Sequence, residues 1–221
     1  DFDRLGADFA YTVDGGALEE VNFETFNAAA AHWDVTGFNI HPGDAKNTMI
    51  NASLVACEIN AMLPAGDTPA HTEGYEGFYH LMSMTGTVER AELDYIVRDH
   101  SAASFAAREA TLRHIEKLIN EKYGAGTAKL TLTEQYRNMA ECMSGHMDIV
   151  ERAERAIAAA GLTPVRVPVR GGTDGAQLSF RGLPCPNLGT GGYSFHGPYE
   201  HITAEAMDIA VEIILGIVGK R

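Results

Sequence analysis

The sequence is short of cysteine: three in 221 residues, Cys57, Cys142 and Cys185, with no close spacing among them. That excludes a disulfide framework and a zinc-finger pattern, and it fits reduced thiols in a cytoplasmic setting. Basic residues are also few. Lys and Arg number 17 against 30 Asp and Glu, a formal net charge of −13. A chain this negative lacks the footprint of a nucleic-acid binder, so no nucleic acid is expected as a partner, and an anionic membrane surface would repel it. Long apolar runs are missing too. The richest stretch, residues 209–218, is broken by Glu212 and is too short to span a bilayer. No basic-then-apolar leader opens the chain, so neither a signal peptide nor a membrane partner is expected. There is no internal repeat and no low-complexity segment.

What is present is globular material, 45% hydrophobic and 21% charged, enough for one large domain or two small ones. Residues 9–13 read as a buried strand stopped by Asp14-Gly15-Gly16, and 26–35 as a strand despite their alanines. Apolar spacing over 47–63 predicts a helix ended by Pro64. Residues 79–99 read as two or three meandering strands. Ser101 caps a helix with Phe105, Leu112, Ile115 and Ile119 on one face and Gly124 past its end. A short strand is expected at 130–133, a helix at 149–160, strands at 165–169 and 184–188, and a loop at 170–175. Thr203 caps a last helix reaching Val218, with Met207, Ala210, Val211 and Ile214 expected inward.

The ends alternate strand with helix, whereas the middle groups antiparallel strands with two helices. The fold class expected is therefore α/β, with an α+β domain inserted. The expected segments are 1–25, 26–135 and 136–221. The chain opens at Asp1 and enters a strand-like segment at once, which predicts that it is a piece of something longer.

Five residues carry possible chemistry. Asp14 follows a strand and precedes two glycines, where a carboxylate can bind metal or act as a base, or simply hold its own turn. His196 lies in Gly191-Gly192-Tyr193-Ser194-Phe195-His196-Gly197, where an imidazole can ligate metal or merely sit in a flexible loop. His41, in a loop before a helix, can donate to a developing oxyanion or be a surface histidine. Arg98, at a strand end, can pair with Asp99. Arg170 leads into Gly171-Gly172-Thr173-Asp174-Gly175, a setting for a carboxylate or phosphate, or for a structural ion pair. That loop lacks the Gly-Lys-Ser/Thr ending of a phosphate P-loop.

Longer strings then narrow the reading. Tyr11-Thr12-Val13-Asp14-Gly15-Gly16, Glu73-Gly74-Tyr75-Glu76-Gly77-Phe78-Tyr79-His80 and Gly86-Thr87-Val88-Glu89-Arg90-Ala91 resemble the peptidase T family of zinc tripeptide aminopeptidases. So do Tyr95-Ile96-Val97-Arg98-Asp99, the run from Arg170 to Asn187, and the glycine-rich segment ending at His196-Gly197. The resemblance covers essentially the whole chain, in order, but only the C-terminal half of the family's length. It implies a two-zinc catalytic domain carrying an inserted lid that forms a homodimer. By resemblance, Asp14 and His196 are ligands of different zinc ions. His41 polarises the scissile carbonyl across the dimer, and Arg98 and Arg170 grip the terminal carboxylate of a tripeptide. Asn51 matches a lid-helix position and is expected to be structural. The absent N-terminal half of the catalytic domain would hold the other metal ligands and the general base, so the chain is expected to be inactive alone. The alternatives are a non-catalytic dimerisation module, or a related exopeptidase or amide hydrolase of the same group.

Overall fold

The computed structural model describes Arg4 and residues 6–219. In chain order the strands are β1 (Thr12–Gly15), β2 (Glu20–Asn22), β3 (Asn27–Thr36), β4 (Phe78–Gly86), β5 (Arg90–Asp99), β6 (Ala128–Tyr136), β7 (Val165–Arg166) and β8 (Asn187–Gly189). The helices are α1 (Ala52–Ala61), α2 (Ala102–Tyr123), α3 (Ala140–Met143), α4 (Met147–Ala159), α5 (Asp174–Phe180) and α6 (Ala204–Ile217). The backbone divides into two compact units, Asn27–Arg137 and the flanking pair Asp1–Phe26 with Asn138–Arg221.

The inserted unit is a four-stranded antiparallel sheet in the order β4-β5-β3-β6, with α1 and α2 on one face. Strand side chains alternate between faces, so Ala29, Ala31, Trp33 and Val35 of β3 and Leu93, Tyr95 and Val97 of β5 all point into one core. They meet Val55 and Ile59 of α1 and Leu112, Ile115 and Ile119 of α2. The other face of the sheet is polar. The alanine-rich β3 is a strand because its small core-side residues let helices pack close while the ladder to β5 and β6 supplies its hydrogen bonds. The helix expected over 47–63 begins only at Ala52. Asn47 sits in the left-handed region at φ 60°, Ile50 bridges Phe38, and Asn51 caps the helix by accepting from the Leu54 N–H. Asn51 is thus structural.

The flanking unit holds a mixed sheet in the order β1-β8-β2-β7, with β1 parallel to β8 and β2 parallel to β7. Its core joins Val21 and Leu188 to Met139, Met143, Ile149, Val150 and Ile157, with Ile213 and Ile217 of α6. The last helix turns a different face inward from the one its sequence suggested. Ala206, Ile213 and Ile217 are buried, whereas Met207, Val211 and Ile214 are exposed. The helix is apolar on more than one face, so hydrophobic spacing alone could not choose between them. Close packing chose: a Cβ on Gly216 would lie 3.3 Å from the Ala156 Cβ of α4. The strand expected at 165–169 shrinks to Val165–Arg166 because Pro168 has no N–H for the ladder. Part of the expected 170–175 loop is helical, since α5 starts at Asp174 under a Thr173 cap.

A cleft at the strand ends as a candidate metal and substrate site

Parallel β1 and β8 bring their carboxyl ends side by side, the usual location of sites in α/β sheets. Their register breaks between Val13 and Gly15, leaving Asp14 as the displaced residue, with its carboxylate exposed. Gly15 permits this, because a Cβ there would meet the Asn22 Oδ1 at 2.6 Å and the Leu188 carbonyl oxygen at 2.9 Å. A cleft of about 410 Å³ opens at this end, and its lining includes Asp14, Glu20, Asn22, Arg170, Thr190 and His196.

Each wall has its own support. The loop after β8 is pinned by the Thr190 and Gly191 N–H groups donating to the Gly15 and Gly16 carbonyls. It then turns sharply, with Ser194 and His196 in the left-handed region at φ 56° and 61°. Non-glycine residues in that region are costly and cluster at functional sites. The His196 N–H donates to Glu200 Oε2 at 2.9 Å, which holds the strained turn. Arg170 follows the Thr25–Val169 bridge, and its guanidinium stacks over the Phe26 ring at 5.2 Å. Behind it, Thr173 Oγ1 accepts from both the Ala176 N–H and Asn187 Nδ2. Asn187 also accepts from Thr12 Oγ1, so the Arg170 loop, α5, β8 and β1 share one buried network.

Three of the five candidate residues, Asp14, Arg170 and His196, therefore line one cleft. The other two lie in the inserted unit. His41 is 79% exposed at the start of a 3₁₀ turn, Pro42–Asp44, where its Nδ1 accepts from the Gly43 N–H. That bond puts the proton of a neutral ring on Nε2, facing outward as a donor. Arg98, on β5, is half-buried. Its Nη1 donates to the Ala29 and Val97 carbonyls, its Nη2 to Gln135 Oε1, and its guanidinium lies over Tyr136 at 5.4 Å. Burial lowers its pKa from the usual arginine value, partly offset by Tyr136.

Glu20 and Asn22 escaped the sequence reading because the three-residue β2 has too little alternation to be seen. Asn22 is buried, donates to the Val167 carbonyl, and leaves its Oδ1 without a hydrogen bond. The carboxylates and imidazole of the cleft are donor types that zinc accepts. Among the described residues, however, three closely gathered donors occur only at His32, Asp34 and Glu92, on the polar face of the inserted sheet. There the Arg90 guanidinium bridges Asp34 and Glu92. The cleft fits part of a metal site, not a whole one.

Residues 23–127 match the family model of the peptidase dimerisation domain of the M20 type. The chain is 53% identical over 216 residues to a peptidase T of Halothermothrix orenii, covering 98% of this chain and 53% of that protein. It is 50% identical over 218 residues to a peptidase T of Clostridium perfringens, covering 99% and 54%. The chain thus spans about half the length of the curated relatives it matches. Its fold matches the crystal structure of aminopeptidase PepT from Bacillus cereus with a TM-score of 0.82 and 22% identity, over all of this chain and 59% of that one.

Proposed function

We propose, on the premise that this chain belongs with the peptidase T relatives and carries an M20-type dimerisation domain, that it is part of a zinc-dependent aminopeptidase acting on tripeptides. The observation that carries the reading is sequence identity of about half along nearly the whole chain. The shared cleft of Asp14, Arg170 and His196 supports it. In this reading Asp14 offers a carboxylate to one zinc and His196 an imidazole to the other. One donor each does not complete a tetrahedral site, so the remaining ligands and the general base come from polypeptide outside this chain, the N-terminal half of the family's catalytic domain. Zinc, when bound, supplies a Lewis acid and lowers the pKa of water.

The chain's own residues bind and orient. Arg170, its plane steadied by Phe26, offers paired N–H groups to the substrate's terminal carboxylate. Arg98 contributes a second cation to that end, exchanging its Gln135 bond for the ligand. The His41 Nε2–H donates to the carbonyl oxygen as negative charge builds there. A peptide must then place an amine at one end of the site and a carboxylate at the other. A longer peptide would leave the arginines unpaired, which selects for length. The enzyme works as a homodimer through the dimerisation domain, in a cytoplasmic setting that suits its free cysteines.

The test is zinc-dependent hydrolysis of a tripeptide by this chain alone and after mixing with the remaining half of a peptidase T. No turnover is expected alone, and turnover is expected on mixing. His196→Ala should abolish it. Silence on mixing two folded pieces would overturn the reading and favour a dimerisation module without catalysis.

A further inference from the structure

On the polar face of the inserted sheet four side chains form a square. His32 and Asp34 are two apart on β3, and Glu92 and Asp94 are two apart on β5, so all four point to the same side. The ladder sets His32 directly opposite Asp94, and Asp34 directly opposite Glu92. Opposed carboxylates repel unless a cation stands between them. Arg90 is one such cation: its Nη2 reaches Asp34 Oδ1 at 2.8 Å and Glu92 Oε1 at 2.6 Å. Lys129, opposite Asp34 on β6, adds positive charge from the side. Arg90 takes one oxygen of each carboxylate, and its own side chain is well exposed. Asp34 Oδ2 is left turned toward the imidazole, 3.5 Å from His32 Nε2.

The imidazole sets this cluster apart from a patch of surface acids. His32 Nδ1 bonds Asp94 Oδ1 at 2.7 Å, and Ser83 Oγ on β4 donates to Asp94 Oδ2 at 2.7 Å. That chain orients the ring and puts the proton of a neutral imidazole on Nδ1. The Nε2 lone pair then faces a carboxylate oxygen, which repels it unless a proton or another cation sits between them. Ligating histidines in zinc sites have the same support, the second ring nitrogen donating to a carboxylate. One ligand atom each from His32, Asp34 and Glu92 lie within 4.8 Å of one another. Bonds of about 2 Å to a single ion require these solvent-facing side chains only to close inward by rotation.

We propose that His32 Nε2, Asp34 and Glu92 bind a zinc ion on this face, with Asp94 as the residue that positions the imidazole. One nitrogen and two carboxylates suit zinc better than magnesium or calcium, which take oxygen ligands. The site shares no residue with the cleft of Asp14, Arg170 and His196, and it belongs to the other compact unit. An ion there ties β3 to β5, so its effect falls on the stability of the inserted sheet. The proposal does not depend on the catalytic reading.

The test is calorimetric titration of this chain with zinc chloride at about pH 8, where the histidine is deprotonated. It is done in wild type and in Asp14→Asn/His196→Ala, which removes the donors of the cleft. Both should bind one zinc at this site with a Kd below about 100 μM, and the NMR signal of His32 Nε2 should move as zinc is added. His32→Gln should lose this binding. Asp94→Asn keeps all three ligands and should weaken it by about 10-fold. Circular dichroism in the presence of a chelator checks the fold of each variant, and the His32 signal in Asp14→Asn/His196→Ala serves where His32→Gln does not fold. Zinc bound by wild type but not by Asp14→Asn/His196→Ala overturns the proposal. So does zinc binding that leaves the His32 signal unmoved or that survives His32→Gln at full strength. Tripeptide hydrolysis by the mixed halves is a separate measurement, and its failure leaves these outcomes as they are.

Discussion

His32 stands between two carboxylates, with Nδ1 2.7 Å from Asp94 and Nε2 3.5 Å from Asp34. The Asp94 hydrogen bond raises the His32 pKa above its ordinary 6.5, and that same bond, with help from Ser83, lowers Asp94 below its ordinary 3.8. A raised histidine stabilises the fold fully below 6.5 and loses that stabilisation as pH climbs through its folded value. A lowered aspartate stabilises above 3.8 and loses it as pH falls through its own. The difference in melting temperature between wild type and His32→Gln should therefore be largest between those two values and shrink above neutrality. Melts across pH, with the His32 ring followed by NMR, check this. Both groups are well exposed, so the effect will be small and weaker in salt. Arg108 is the opposite case. It is mostly buried, pairs with Asp99 at 2.8 Å and Asp67 at 2.6 Å, and lies over Tyr79. Removing one partner of a buried pair strands the other charge, so Arg108→Ala should cost about 3 kcal/mol or more in urea denaturation.

At the scale of elements, α5 is small but shares one hydrogen-bond network with the Arg170 loop, β8 and β1. Thr173 caps it, and the same Oγ1 accepts from Asn187 on β8. Thr173→Ala removes a cap and leaves a buried amide short of a partner. It should cost about 2 kcal/mol in denaturant and disturb the cleft more than the inserted sheet. Hydrogen exchange at β1 and β8 reads the difference. In the inserted unit, Leu112 of α2 is fully buried against the sheet. Leu112→Ala should destabilise by about 3 kcal/mol through lost burial and a residual cavity. The long elements were legible in the sequence for physical reasons. α2 has Ser101 to start it, Gly124 at φ 113° to end it, and four apolar residues on one face. β2 has three residues, too few for a period to emerge, while β7 and β8 overlap the strands expected at 165–169 and 184–188 but are only two and three residues long.

At the scale of the whole molecule, Asn27–Arg137 has its own sheet, helices and core. Its two ends are neighbours, since Ala28 at the start of β3 pairs with Tyr136 at the end of β6. A segment whose ends meet in one ladder loses little when cut out. Residues 27–137 expressed alone should unfold cooperatively, with the far-UV signal of a mixed sheet and helix. A broad, non-cooperative melt would show that the flanking segments complete its core.

The sequence by itself determined the α/β class with its inserted antiparallel sheet, the similarity to peptidase T over nearly the whole chain, and the loops at Asp14, Arg170 and His196. Periodicity, caps and glycines are local, so they are written within a few residues of one another. Only the tertiary structure decided that those three loops line one cleft, because β1 and β8 are neighbours in space though 175 positions separate Thr12 from Asn187. The same holds for Glu20 and Asn22, which join the cleft through a strand too short to announce itself. It also decided which face of α6 is buried. Such choices depend on where one element meets another, and no spacing within an element encodes its neighbour.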